Sequence, residues 1–132
     1  MDSAEIPRRG ARILVIDDEV AMLDVIEESL RNEGFETRRA SNGRDGFELM
    51  LESPFDLVIT DVLMPEQDGL QTIRELLTIF PGLKILAMSG GLDMRGKDLL
   101  TISGMLGAAG CLRKPFGRDA LLKAVGDLLD AR

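Results

Sequence analysis

The chain has 132 residues and a mass of 14.4 kDa, the size of a single domain. A net charge of −7, without any lysine- or arginine-rich block, argues against a nucleic-acid-binding surface. No histidine is present and Cys111 is the single cysteine, which excludes an imidazole zinc site, a serine–histidine triad and an internal disulfide. The apolar runs are too short to span a membrane and the N-terminus does not resemble a signal peptide, so we expect a cytoplasmic protein.

We expect residues 1–11 to form a flexible N-terminal leader, because they are polar and contain Pro7 and Gly10. Residues 12–132 alternate between apolar runs and amphipathic segments and predict one folded domain. The runs predict five strands: Arg12–Ile16, Phe35–Ala40, Phe55–Thr60, Lys84–Met88 and the very short Cys111-Leu112. The amphipathic segments predict five helices: one from Glu19 to Gly34, a short one before Pro54, one ended by Pro81-Gly82, Asp98–Leu106 and Arg118–Leu129.

Apolar residues recur along the predicted helices. In the first helix they fall at a helical spacing, at Met22, Val25, Ile26 and Leu30, and in the second they include Leu51. Most methionines and phenylalanines are assigned to packing. The paired arginines Arg38 and Arg39 are most simply interpreted as solvated charges, and an acidic partner for the pair is the alternative. Four glycines between Gly90 and Gly104 predict a mobile or shortened fourth helix.

Strands that alternate with helices imply a parallel sheet covered on both faces, because each parallel return needs a helical crossover. Five such units form a doubly wound α/β sandwich of three layers, in which ligands bind at the carboxyl ends of the strands. Four of the five predicted strands run into polar side chains at that end: Asp17 and Asp18, Asp61, Ser89, and Lys114. We therefore expect three carboxylates, a hydroxyl and an ammonium to converge on one pocket.

Three carboxylates cannot all stay ionised at close range without a counter-charge, since each raises the pKa of the others. A divalent cation supplies that charge, and Mg²⁺ prefers oxygen ligands and phosphate. The predicted pocket is therefore suited to handling a phosphoryl group.

Four segments of the sequence resemble the signature set of response-regulator receiver domains, the phosphoacceptor partners of sensor histidine kinases. They are Ile16-Asp17-Asp18-Glu19, the stretch from Asp61 to Gly69, Met88-Ser89-Gly90 and Lys114-Pro115-Phe116. The resemblance covers about residues 12–130. It implies a flavodoxin-like (βα)5 fold with the strand order 2-1-3-4-5, and a protein that is not an enzyme.

The resemblance also implies a role for each residue of the pocket. Asp61 would accept the phosphoryl group, and Asp18, Asp61 and the backbone carbonyl of Leu63 would hold Mg²⁺, with Asp17 acting through a bound water. Ser89 and Lys114 would bind the phosphoryl oxygens, and the Lys114–Pro115 peptide bond would be cis. The implied partners are a sensor histidine kinase or phosphotransfer protein and a downstream protein target or output domain. A homodimer through the face made by the fourth helix, fifth strand and fifth helix is a further option that the resemblance allows.

The sequence departs from the family at Cys111, which stands where receivers usually carry an aromatic residue that rotates on phosphorylation. A cysteine cannot perform that rotation, so our hypothesis is that signalling relies on Ser89 and the loop at 90–96. Two other functions remain open at this point: a degenerate receiver that binds a partner without phosphorylation, and a small aspartyl-phosphate hydrolase. The hydrolase is disfavoured because Leu63 stands where such enzymes need a second carboxylate.

Overall fold

A computed structural model describes residues 10–62, 69–90 and 98–130 of the chain. The expected leader at 1–11 lies outside the described residues apart from Gly10 and Ala11. The Gly10 N–H donates to the Gly34 carbonyl, and the Ala11 carbonyl accepts from the Glu36 N–H.

Five strands and five helices alternate strictly along the chain, as the apolar pattern predicts. The strands are β1 (Arg12–Ile16), β2 (Glu36–Ala40), β3 (Leu57–Asp61), β4 (Lys84–Ser89) and β5 (Gly110–Arg113). The helices are α1 (Val20–Asn32), α2 (Gly43–Glu52), α3 (Gly69–Ile79), α4 (Leu99–Met105) and α5 (Arg118–Asp130). Helix α4 has seven residues and is the shortest of the five.

The strands form one parallel sheet in the order β2-β1-β3-β4-β5, which confirms the flavodoxin-like topology. Strand order reverses beside β1, because the chain goes from β1 to β2 on one side and then crosses to β3 on the other. Crevices at such a reversal open at the carboxyl ends of the strands. The residues that end β1 and β3 therefore lie next to each other at the mouth of this crevice.

The central strands are apolar throughout because both faces of the sheet are covered. Leu14 and Ile16 of β1 belong to the core on one face, and Ile13 and Val15 belong to the core on the other. The first core includes buried residues of α2, α3 and α4, and the second includes those of α1 and α5. This double packing fixes the ends of β1 and β3 between two layers of helices.

Some apolar residues of the predicted helices are exposed in the fold. Val25 is 58% exposed, since the buried face of α1 runs through Leu23, Ile26 and Leu30 and Val25 points away from it. Leu51 in α2 and Met105 at the end of α4 are also exposed, by 54% and 82%. The apolar residues of a helix therefore span a wider part of its surface than the part that is buried in the fold.

A buried carboxylate on α1 accepts a hydrogen bond from one of the paired arginines. Glu27 is 1% exposed and accepts hydrogen bonds from the Arg31 and Arg39 guanidiniums and from the Thr37 hydroxyl. Arg39 also contacts Asp24 at 2.7 Å. Arg39 is exposed, as expected for a solvated charge, and it also meets acidic partners that join the edge strand β2 to α1.

Within the described part of the chain, no helix combines the length and the apolar character needed to cross a membrane.

Candidate functional site

The predicted acidic residues meet at the carboxyl ends of β1 and β3. Asp17 follows β1 directly and is fully buried, while its neighbour Asp18 is exposed. Asp61 is the last residue of β3 and is 5% exposed. One carboxylate oxygen from each of these three residues lies within 4.8 Å of the other two. The convergence expected from the strand ends is therefore present in the fold.

Backbone hydrogen bonds hold these residues in place. The Asp17 N–H donates to the Ala40 carbonyl of β2 at 3.1 Å, which continues the sheet by one bond beyond β1. On the other side, the N–H of Val62 donates to the Met88 carbonyl of β4 at 3.1 Å. Asp17 and Asp61 thus belong to the rigid edge of the sheet, which is how a site keeps its geometry.

Lys114 brings a positive charge into the acidic pocket from the residue after β5. Its ammonium lies 3.1 Å from Asp17 Oδ2 and 3.6 Å from Asp61 Oδ2, and it is 3.9 Å from Glu19 Oε1. The Lys114 side chain is only 16% exposed, so these contacts are partly shielded from water. The structure therefore brings Lys114 to the two buried carboxylates, as the strand-end argument expects.

The pKa values of the pocket reflect burial and charge acting against each other. Burial raises the pKa of the Asp17 carboxyl above its ordinary value, although hydrogen bonds from the Glu19 N–H and the Lys114 ammonium oppose the rise. Burial alone would lower the pKa of Lys114, but the carboxylates of Asp61, Asp17 and Glu19 outweigh it and the pKa is raised. Lys114 consequently remains an ammonium beside the carboxylates.

Ser89 ends β4 at the same rim of the sheet and is 1% exposed. Its carbonyl accepts the Lys114 N–H at 3.1 Å, so the backbones of these two residues are joined. Gly90 allows this approach, because a Cβ at that position would lie 3.2 Å from both Cβ and the carbonyl oxygen of Lys114. The Lys114–Pro115 peptide bond is cis.

Gly69 is a residue of the site whose physical role the sequence does not reveal. A Cβ at Gly69 would lie 2.3 Å from the Asp61 carbonyl oxygen and 2.4 Å from Val62 Cα, distances that real Cβ atoms do not reach. Helix α3 therefore begins in direct contact with the backbone of Asp61. The glycine is visible in the sequence, but only the fold reveals which backbone it touches.

The donor set fits a magnesium ion. Three carboxylate oxygens from Asp17, Asp18 and Asp61 face one another, and hard oxygen ligands of this kind are those that Mg²⁺ takes from proteins. Three carboxylates contact the Lys114 ammonium, and the Asp18 carboxylate lies beside two of them. A divalent cation would balance part of the negative charge that these groups bring together. The predicted carbonyl ligand, Leu63, lies outside the described residues.

Cys111, which stands at the predicted aromatic position, is exposed on β5 and has a free thiol. The loop at 90–96, on which the alternative switch hypothesis depends, is described only at Gly90. That hypothesis therefore stays a prediction.

Comparison with known proteins agrees with the geometry of the pocket. Residues 13–126 match the family model described as the response regulator receiver domain. The chemotaxis protein CheY of Thermotoga maritima is 30% identical over 118 residues, which cover 88% of this chain and 95% of that protein. The CpxR homolog of Haemophilus influenzae, a transcriptional regulatory protein, is 29% identical over 120 residues, which cover 90% of this chain and 50% of that protein.

Among solved structures, a response regulator from Chloroflexus aurantiacus superimposes with a TM-score of 0.84 at 27% identity, covering 92% of this chain and 99% of the other. The matched residues cover between 18% and 50% of the length of the transcriptional regulators to which the chain is similar.

Proposed function

The chain belongs to the response-regulator receiver family, which acts in two-component signalling and is not a family of enzymes, and on that premise we propose that Asp61 is its phosphoacceptor. The observation that carries the proposal is the cluster in which Asp61 contacts the Lys114 ammonium and faces Asp17 and Asp18. Asp61 ends a central strand, so its carboxylate is held at the mouth of the crevice where a donor can reach it.

In the proposed reaction, a carboxylate oxygen of Asp61 attacks the phosphorus of a phosphohistidine on the partner kinase. The new O–P bond forms in line with the breaking P–N bond, and the imidazole nitrogen keeps the electron pair of the bond that breaks. The product is an aspartyl phosphate, and no oxidant or further reactant is needed.

The residues around Asp61 would stabilise this transfer by charge. Asp17, Asp18 and Asp61 would hold Mg²⁺, with the Leu63 carbonyl as a further proposed ligand. When bound, the ion would neutralise charge on the phosphoryl oxygens. Lys114 would donate a charge-assisted hydrogen bond to a phosphoryl oxygen, and the Ser89 hydroxyl would donate another. Lys114 already lies 3.6 Å from Asp61, so only a small movement would be required.

Phosphorylation would act on the rest of the molecule by shifting a conformational equilibrium. The new dianionic group makes better contacts with one arrangement of Ser89 and Lys114 than with the other, and this difference sets the size of the shift. We propose a sensor histidine kinase or a phosphotransfer protein as the donor, in the cytoplasm. A downstream protein or an output domain would read the result, and a homodimer through α4, β5 and α5 remains part of the proposal.

The proposal is tested by incubating the protein with Mg²⁺ and acetyl phosphate and measuring its intact mass. We expect one phosphoryl group on the wild type, none on Asp61→Asn, and none in either after chelation of Mg²⁺. Glu28→Gln is a matched control, since Glu28 is an exposed carboxylate on α1 outside the pocket. It should be phosphorylated like the wild type.

A second measurement separates a failed reaction from a failed fold. Mg²⁺ with beryllofluoride at about a hundred times its dissociation constant should stabilise the wild type by roughly 2.7 kcal/mol and leave Asp61→Asn unchanged. If the wild type is folded but shows neither phosphorylation nor this stabilisation, the phosphoacceptor function is refuted and a phosphorylation-independent binding module becomes the better description.

A further inference from the structure

One exposed ion pair connects the rim of the acidic pocket to α4. Arg113, the last residue of β5, directs Nη2 to Oδ2 of Asp98 at 2.7 Å. Asp98 is the N-cap of α4, and its other carboxylate oxygen, Oδ1, accepts the Leu100 N–H at 3.0 Å. The same carboxylate therefore caps the helix with one oxygen and binds β5 with the other.

Helix α4 depends on this carboxylate more than a long helix would. It has seven residues, and its first turn contains no acidic residue that could favour its N-terminus. A capping side chain satisfies backbone donors that have no partner within the helix. The Arg113 guanidinium also holds the pKa of the Asp98 carboxyl below its ordinary value. The position of Arg113 therefore affects where α4 begins.

The other end of this connection is the pocket itself. Arg113 is the register partner of Ser89 across β4 and β5, and Lys114 is the next residue in the chain. The Lys114 N–H donates to the Ser89 carbonyl at 3.1 Å. The two groups assigned to the phosphoryl oxygens thus flank Arg113, one beside it in the sheet and one after it in sequence.

We propose that the Arg113–Asp98 ion pair restrains α4 in the unphosphorylated state and weakens when the pocket is phosphorylated. This inference rests on the proposed function, since it takes a phosphoryl group on Asp61 as the signal. The group draws Lys114 and Ser89 toward Asp61 and moves the end of β5 with them. This movement separates the Arg113 guanidinium from Oδ2 of Asp98, so α4 loses the restraint at its N-cap.

Thermodynamic reciprocity fixes the sign of the effect. If the ion pair favours the unphosphorylated arrangement, removing it must favour the arrangement that binds a phosphoryl group. Variants without the pair should therefore bind beryllofluoride more tightly than the wild type. An exposed pair of this kind corresponds to a change in affinity of about two- to fivefold.

The test compares Arg113→Gln, Asp98→Asn and the double variant by titrating beryllofluoride calorimetrically at saturating Mg²⁺. Asp98→Asn keeps the helix cap, because asparagine caps as well as aspartate, and removes only the ion pair. Each single variant should bind about two- to fivefold more tightly, and the double variant no more tightly than either, because all three lack the same contact.

Arg118→Gln is the matched control, since Arg118 also makes an exposed ion pair, with Glu33 at 3.0 Å. The Arg118 side chain is 50% exposed against 54% for Arg113. The Arg118→Gln variant should bind beryllofluoride as tightly as the wild type does. In hydrogen exchange, the amides of α4 should exchange faster in wild type with beryllofluoride and in Arg113→Gln without it.

Two failures are distinguishable. If the wild type binds no beryllofluoride, the proposed function is wrong and the inference falls with it. If the wild type binds but the Arg113 and Asp98 variants match Arg118→Gln, or the exchange of α4 is the same in every state, the inference alone is overturned.

Discussion

Two clusters of charged side chains in this protein have opposite balances of charge. In the α1–β2 cluster, defined as Asp24, Glu27, Arg31, Thr37 and Arg39, two carboxylates meet two guanidiniums and a hydroxyl. In the acidic pocket, defined as Asp17, Asp18, Glu19, Asp61 and Lys114, one ammonium contacts three carboxylates and a fourth carboxylate lies beside them. The charges of the first cluster sum to zero, whereas the groups that define the second carry a net negative charge.

This difference separates a structural use of buried charge from a functional one. Glu27 is buried and accepts hydrogen bonds from three side chains, so its desolvation is offset within the fold. Asp17 is equally buried, but it shares a single lysine with Asp61 and Glu19. A cluster of net negative charge at the carboxyl edge of a parallel sheet is consistent with a cation site, because a bound cation would relieve the repulsion among the carboxylates.

The largest expected effect is on the neutral cluster. Glu27→Gln should lower the free energy of unfolding by about 2–3 kcal/mol, because the ionised acceptor of three hydrogen bonds is replaced by a neutral amide whose nitrogen cannot accept. Urea denaturation followed by circular dichroism measures the change. Glu28→Gln, the exposed neighbour, should stay within about 0.5 kcal/mol of the wild type. Equal stabilities for the two variants would contradict a structural role for the α1–β2 cluster.

The next effect concerns the backbone that holds the acidic pocket together. Gly69→Ala should destabilise the protein by about 2 kcal/mol and weaken Mg²⁺ binding, because the added methyl group displaces α3 from the Asp61 backbone. Gly126→Ala is the matched control in α5, where a Cβ meets nothing within 4 Å. It should stabilise by about 0.5–1 kcal/mol. Urea denaturation again measures the change in stability. If Gly69→Ala is as stable as Gly126→Ala, Gly69 does not lie in close contact with the Asp61 backbone.

The smallest effect distinguishes the clusters by their response to metal. Mg²⁺ at ten times its dissociation constant should raise the free energy of unfolding of the wild type by about 1.4 kcal/mol. Asp18→Asn should lose this gain, whereas Glu27→Gln should retain it despite its lower stability. Thermal unfolding with and without Mg²⁺ measures both. If the gain survives in Asp18→Asn and disappears in Glu27→Gln, Mg²⁺ binds at the α1–β2 cluster and the proposed metal site is wrong.

The elements and the pocket could be predicted from the sequence because both depend on short-range patterns. Short, nearly continuous apolar runs predict buried strands. Asp17 follows such a run, and Asp61 and Ser89 each end one. Once the sheet is parallel, its topology brings these ends to one edge. The convergence on one pocket, including Lys114, therefore followed from residue order.

Other features depend on distances that no local pattern contains. The apolar spacing of α1 does not show whether the Glu27 carboxylate is buried or exposed. It is buried against Thr37 and Arg39, which lie ten and twelve residues further along the chain. Val25 and Met105 are apolar yet exposed, since the width of a packed face is set by the neighbouring element and not by the helix alone.

The sequence by itself determined the alternation of strands and helices and the set of residues at the carboxyl edge of the sheet, because periodicity and chain order are local properties. Only the tertiary structure decided which charges are balanced. The contacts of Glu27 with β2, of Gly69 with Asp61 and of Arg113 with Asp98 each join two different elements of the fold. Their energies depend on burial and separation, and both exist only after the layers have packed.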